Sequence, residues 1–144
     1  ALALVVLAHR HRDALLQLPT DVLELQRAWS WRQRLPRGAR VLSVVRAERY
    51  MLVLPIHGGA GRDVQTIALD PTHPPPDPRS FGPDTFYYRA STCSAPPARA
   101  WCDAFERLAG LRPIETFTLP AVSSMAHLIY TTPRISVGLY KVTE

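Results

Sequence analysis

"TFYYRASTCSAPPARAWCDAFERLAG", residues 85–110, reads as a strand, a tight link and a helix, and it holds both cysteines of the chain. The opening "TFYYRAS" (85–91) is rich in aromatic side chains, which suit a pleated, half-buried surface. Pro96 and Pro97 fall in the first turn of a helix, where a missing N–H is not needed. Behind them Trp101, Ala104, Phe105 and Leu108 recur at helical spacing as an inner face. Arg99, Asp103 and Arg107 line the outer face four residues apart, and Gly110 is the expected stop.

Cys93 and Cys102 have eight residues between them. A redox-active pair usually has two, at a helix start where the dipole lowers the thiol pKa. Zinc asks for about four ligands, and no histidine lies near this segment in sequence. Cys93 is expected at the end of the strand, and Cys102 on the flank of the helix's buried face. A short link between the two elements brings such positions within bonding distance. The expected reading is a disulfide, with two buried free thiols as the alternative. Disulfides persist in oxidising compartments, so the bond favours an extracytoplasmic domain.

Working outward, "VLSVV" (41–45) is an apolar, β-branched run of the kind found in strands buried on both faces. "DVQTIAL" (63–69) alternates and reads as the next strand, closing a right-handed crossover with the first. Between them "AERYMLVLP" (47–55) is read as a short helix, with a second strand as the alternative, and "HGGAGR" (57–62) as a turn. "DPTHPPPDPRSFGP" (70–83) holds six prolines in fourteen residues and reads as a polyproline-like surface loop. After the helix, "IETFTLP" (114–120) is a strand. "AHLIYTT" (126–132) and "RISVGLYKV" (134–142) are expected to close the fold as an antiparallel pair. Alternating strands and helices predict a small α/β sandwich, with a mainly parallel mixed sheet, helices packed on it and an antiparallel C-terminal edge.

At 144 residues the chain fits one domain, here residues 20–144, with 1–19 as an apolar segment and link. "ALALVVLA" (1–8) is too short to cross a bilayer by itself, since a helical span needs about 20 apolar residues. It reads either as a buried first helix or as the last turns of a transmembrane helix. Residues 1–49 carry nine arginines and four acids, a net of +5, while residues 50–144 are neutral overall. Charge segregated beside an apolar start marks a membrane or nucleic-acid contact.

The segment from Asp21 to Arg34 reads as an amphipathic helix. Asp21 and Glu24 make a capping-box-like start. Val22, Leu25, Ala28 and Trp29 form its apolar face, with Arg27 and Arg34 opposite. "LPRGAR" (35–40) ends it. Tryptophan interleaved with arginine in "AWSWRQR" (28–34) occurs on single-strand nucleic-acid surfaces, but core packing accounts for Trp29, and no nucleic-acid partner is expected. Arg27, Trp31, Arg34 and Arg37 are the candidate contacts with a membrane surface or a lipid phosphate. His57, Gly58, Gly59, Gly61 and Arg62 form a candidate anion-binding loop, in which backbone N–H groups cradle the ligand. There is no G-x-S-x-G, P-loop or G-x-G-x-x-G pattern, and the five histidines lack ligand spacing. No metal, cofactor or catalytic residue is assigned.

An apolar helix end, the "LPTD" link (18–21), an amphipathic helix, "LPRGARVLSVV" (35–45) and the closing "GLYKV" (138–142) form an arrangement with a likeness. It resembles the C-terminal soluble domains that follow the last membrane span in polytopic, lipid-phosphate-sugar-dependent (GT-C type) glycosyltransferases. The resemblance implies a membrane-attached, non-catalytic extracytoplasmic domain that assists recognition of a substrate or partner. Its expected partners are the membrane surface, the transmembrane part of the same protein and a lipid-linked sugar. In that family the catalytic acids lie near the first membrane spans, so no catalytic residue carries over to this chain. "HRHR" (9–12) directly after a span favours the cytoplasmic side, opposite to the side the disulfide favours. The alternatives from other classes are a free-standing small α/β enzyme, with its site near "HGGAGR" and the proline loop, and a secreted binding module.

Overall fold

The structure is a computed structural model that describes residues 24, 26–28, 30–31, 34–44, 64–108, 110–120 and 134–143. Five strands are formed: β1 (Arg40–Val44), β2 (Gln65–Leu69), β3 (Thr85–Arg89), β4 (Gly110–Pro120) and β5 (Arg134–Thr143). They lie in one sheet in the order β2-β1-β3-β5-β4. β1 runs parallel to both β2 and β3, and β5 runs antiparallel to both β3 and β4. The helix α1 (Pro96–Leu108) connects β3 to β4. The chain is thus an α/β domain whose mixed sheet begins parallel and ends in an antiparallel edge, as its sequence predicts.

The strand period of two assigns each side chain to a face. Leu42 and Val44 of β1, Tyr87 of β3 and Leu69 of β2 bury one face against Ala98, Cys102 and Phe105 of α1. Val41, Phe86 and Tyr88, with Ile135, Val137 and Leu139 of β5, bury the other face against Ala28, Trp31 and Leu35. Residues 41–44 of β1 are all buried, which is why "VLSV" is apolar at nearly every position instead of alternating. Both faces being covered, the sheet is the middle of three layers.

The described N-terminal helical residues bury two side chains that the expected apolar face did not include, Glu24 and Trp31. Glu24, Ala28, Trp31 and Leu35 are the buried set, at spacings of four, three and four. That stripe shares Ala28 with the expected apolar face, whose other members, Val22, Leu25 and Trp29, lie outside the described residues. An acidic residue at its first position disguised it. Glu24 is fully buried because its Oε1 accepts from the Tyr88 hydroxyl at 2.5 Å and from the Ser91 backbone N–H at 2.8 Å. The carboxylate expected in a capping box therefore ties this helix to β3 and the turn beyond it. Trp31 is corrected accordingly. Expected on the surface, it is 1 % exposed, with its ring edge-on to Tyr88 and its Nε1 donating to Glu115 Oε2 at 2.6 Å.

Three further expectations change in detail. Leu108 is 50 % exposed, because the buried stripe of α1 runs through Ala98, Cys102 and Phe105 and leaves the last residue at its margin. β4 begins at Gly110, four residues before "IETFTLP", and its register slips between Pro113 and Glu115. Pro113 has no N–H to give the ladder, and an edge strand tolerates that as a bulge. β4 is also the strand that pairs with "RISVGLYKV", with β3 on its other side, while "AHLIYTT" lies outside the described residues. Within the proline loop, Pro78–Phe81 form a 3-10 turn capped by Asp77, whose carboxylate accepts the Arg79 N–H.

Candidate functional site

The site is built where β3 ends. Ser91–Ser94 form a 3-10 turn directly after it, and Cys93 of that turn is disulfide-bonded to Cys102 in the second turn of α1. Both cysteines are fully buried, so the bond pins the start of α1 to the end of β3 from inside the core. Tyr87 lies beside it, its hydroxyl 3.4 Å from Cys93 Sγ and donating to Glu106 at 3.1 Å. Glu106 also accepts from the guanidinium of Arg89, and Asp103 lies 3.7 Å from the same group. Burial, with the carboxylate of Glu106 second, pushes the Tyr87 hydroxyl well above its ordinary range. Burial alone would depress Arg89, but the attraction and hydrogen bond of Glu106 outweigh it and hold the guanidinium above its ordinary value. Arg89 is a fixed cation, aimed by its partners.

Arg89, Ser94, Arg99, Arg134 and Ser136 line a cleft of about 210 Å³. Its residues come from the end of β3, the turn after it, the first turns of α1 and the start of β5. In sheets with parallel strands, ligands gather beyond the carboxyl ends of those strands, and the carboxyl end of β3 is where this cleft opens. Arg89 is paired with Glu106 and Asp103, whereas Arg99 has no ion pair among the described residues. The N-terminus of α1 lends its positive dipole end, but no free N–H. Pro96 and Pro97 carry none, and the N–H groups of Ala98 and Arg99 both go to the Ala95 carbonyl, at 3.1 and 2.9 Å. The polar groups that the cleft presents are therefore guanidinium forks and serine hydroxyls.

The residues singled out in sequence fall in several places. Cys93 and Cys102 form the disulfide expected of them, buried in the core beneath the start of α1. Arg27 and Arg34 meet on β4, where the Arg27 guanidinium lies 3.8 Å from the centre of the Phe117 ring and Arg34 bonds the Glu115 carboxylate. Arg37 sits in the turn before β1 and is exposed. His57, Gly58, Gly59, Gly61 and Arg62 lie outside the described residues, as do residues 1–19. Arg89, Arg134, Ser94 and Ser136 carried no motif in sequence. What the arginines of the cleft share is position: Arg89 closes β3, Arg99 lies in the first turn of α1 and Arg134 opens β5.

Among the described residues no group of three or more histidine, cysteine or acidic side chains is placed to hold a metal ion. No helix among them is long and apolar enough to cross a membrane. Comparison with known proteins finds no family model, no curated protein and no solved structure that matches this chain.

Proposed function

We propose that this chain is a non-catalytic, extracytoplasmic recognition domain of a membrane-bound glycosyltransferase, and that its arginine cleft takes the phosphate of a lipid-linked sugar. The observation that carries this reading is the convergence of Arg89, Arg99 and Arg134 with two serines at the carboxyl end of β3. Guanidinium groups stay charged at physiological pH and present planar forks that match phosphate oxygens. They supply binding and orientation, and they do not act as bases. The buried disulfide supports an oxidising compartment. The basic N-terminal half supports a position beside a bilayer.

The test uses geranyl phosphate, a short and soluble prenyl phosphate, titrated calorimetrically into the purified chain. Geraniol and inorganic phosphate are the reference ligands. Geranyl phosphate should bind, geraniol should not, and the double variant Arg99→Ala/Arg134→Ala should lose about tenfold or more in affinity, as expected for charge-assisted contacts. Unchanged affinity in the double variant, or no heat from geranyl phosphate, would overturn the assignment.

A further inference from the structure

A second basic cleft lies at the opposite end of the same strands. Its volume is about 530 Å³, and its walls include Arg79, Asp84, Arg112, Lys141 and Val142. Asp84 immediately precedes β3 while Arg89 ends it, so at about 3.3 Å per residue the two clefts are roughly 15 Å apart. That exceeds the Debye length of about 8 Å at physiological salt, so each cleft acts on its own ligand.

This cleft differs in composition from the arginine cleft. Three cations face one carboxylate. Arg79 is held by both oxygens of Asp77, and Lys141 donates to Asp84 Oδ1 at 3.1 Å with its ammonium 4.5 Å from the Phe86 ring centre. Arg112 has no ion pair among the described residues. The carboxylate is placed by a constrained turn. Gly82 has φ +87°, with the Arg40 guanidinium 3.0 Å from where a Cβ would sit, and Asp84 itself has φ +56°. Arg40 in turn donates to the Phe81 carbonyl at 2.8 Å, and Thr85 donates to the Gly82 carbonyl at 2.6 Å.

From this arrangement we infer a second ligand site, for the phosphate ester of a sugar. A bare phosphate gains from Arg112 and Lys141 but is repelled by Asp84. A neutral sugar has no use for three cations. A sugar phosphate uses both: its phosphate takes the arginine and lysine, and its hydroxyls donate to the Asp84 carboxylate. Pro83 and Val142 offer apolar surface to the sugar's C–H face. The volume falls within the roughly 300–1,000 Å³ typical of small-molecule sites. This inference is independent of the lipid-phosphate reading above.

The test is calorimetry with glucose 1-phosphate, inorganic phosphate and glucose, in the Arg99→Ala/Arg134→Ala background so that the other cleft does not compete. Glucose 1-phosphate should bind more tightly than either reference. Arg112→Ala should weaken it about tenfold. Asp84→Asn keeps the backbone, because asparagine tolerates a positive φ as well as aspartate does. It should weaken glucose 1-phosphate severalfold while inorganic phosphate binds as well or better, since a like charge has gone. An Asp84→Asn variant with an unchanged ratio of the two affinities would overturn the inference. So would wild-type affinity in Arg112→Ala, or no binding of glucose 1-phosphate at millimolar concentration.

Discussion

Glu115 on β4 is the meeting point of two donors from a segment some eighty residues earlier, Trp31 Nε1 and the Arg34 guanidinium. The hydrogen bond from Arg34 is the main cause that holds its carboxyl below the ordinary value of 4.5; burial opposes it, and the hydrogen bond from Trp31 adds to the lowering. A carboxyl depressed in the folded state adds stability that is complete above its unfolded value and disappears as pH falls through the lowered one. The thermal midpoint should therefore drop on acidification below about 4.5, and Glu115→Gln should flatten part of that drop. Asp70 and Asp77 are also held low, by bonds from Thr72 and Arg79, so the quantity to read is the difference between variant and wild type. Parallel pH profiles for the two proteins would mean that the pair contributes nothing, as many exposed ion pairs do. None of this was legible in sequence. A tryptophan between two arginines looks like a surface residue until the acceptor for its N–H is known, and that acceptor lies on another element. Glu24 misled for the same reason, since its partners Tyr88 and Ser91 are remote in the chain.

At the scale of elements, local chemistry was sufficient for β1, β2, β3 and α1. β1, β2 and β3 announced themselves by apolar or aromatic runs, and α1 by two prolines at its start and a periodic face. The cysteine pairing followed from the absence of any rival ligand nearby and from the short link between strand and helix. The bond closes a loop of about ten residues, for which the chain-entropy argument gives roughly 2–3 kcal/mol. Cys93→Ala/Cys102→Ala should lower unfolding free energy by about that amount in a urea titration. Without the clasp, α1 is also freer against the end of β3, so the double variant should bind geranyl phosphate more weakly than wild type. Denatured, unreduced wild-type protein should show almost no titratable thiol; two thiols per chain would remove the bond and the compartment argued from it. What local reading missed was the β4–β5 pairing. Register between distant strands depends on which faces they must bury, and the slip falls beside Pro113, which has no N–H for the ladder.

The whole molecule carries its charge unevenly, and the fold changes what that implies. The first 49 residues hold a net +5, and sequence alone suggested an aromatic anchor among them in Trp31. With Trp31 in the core, the described part of this half has arginines to offer a bilayer but no indole. Arg27 lies over Phe117 and Arg34 is paired to Glu115, so each has part of its charge already engaged. Arg37 is exposed, with no partner among the described residues, and is the best placed of the three for a headgroup. A contact made by arginines alone has a definite signature. Each is worth about 1 kcal/mol at an anionic surface, and the attraction fades as the Debye length shrinks from about 10 Å at 0.1 M salt to about 3 Å at 1 M. In co-sedimentation, the chain should bind vesicles containing phosphatidylglycerol, ignore pure phosphatidylcholine, and be released by 1 M salt. Arg37→Glu should weaken binding to anionic vesicles, because Arg37 is exposed and no described carboxylate engages its charge. Equal binding to neutral vesicles would show that the arginines are not the contact. Binding to anionic vesicles that survives high salt would transfer the contact to apolar residues, for which "ALALVVLA" at residues 1–8 is the segment of suitable composition.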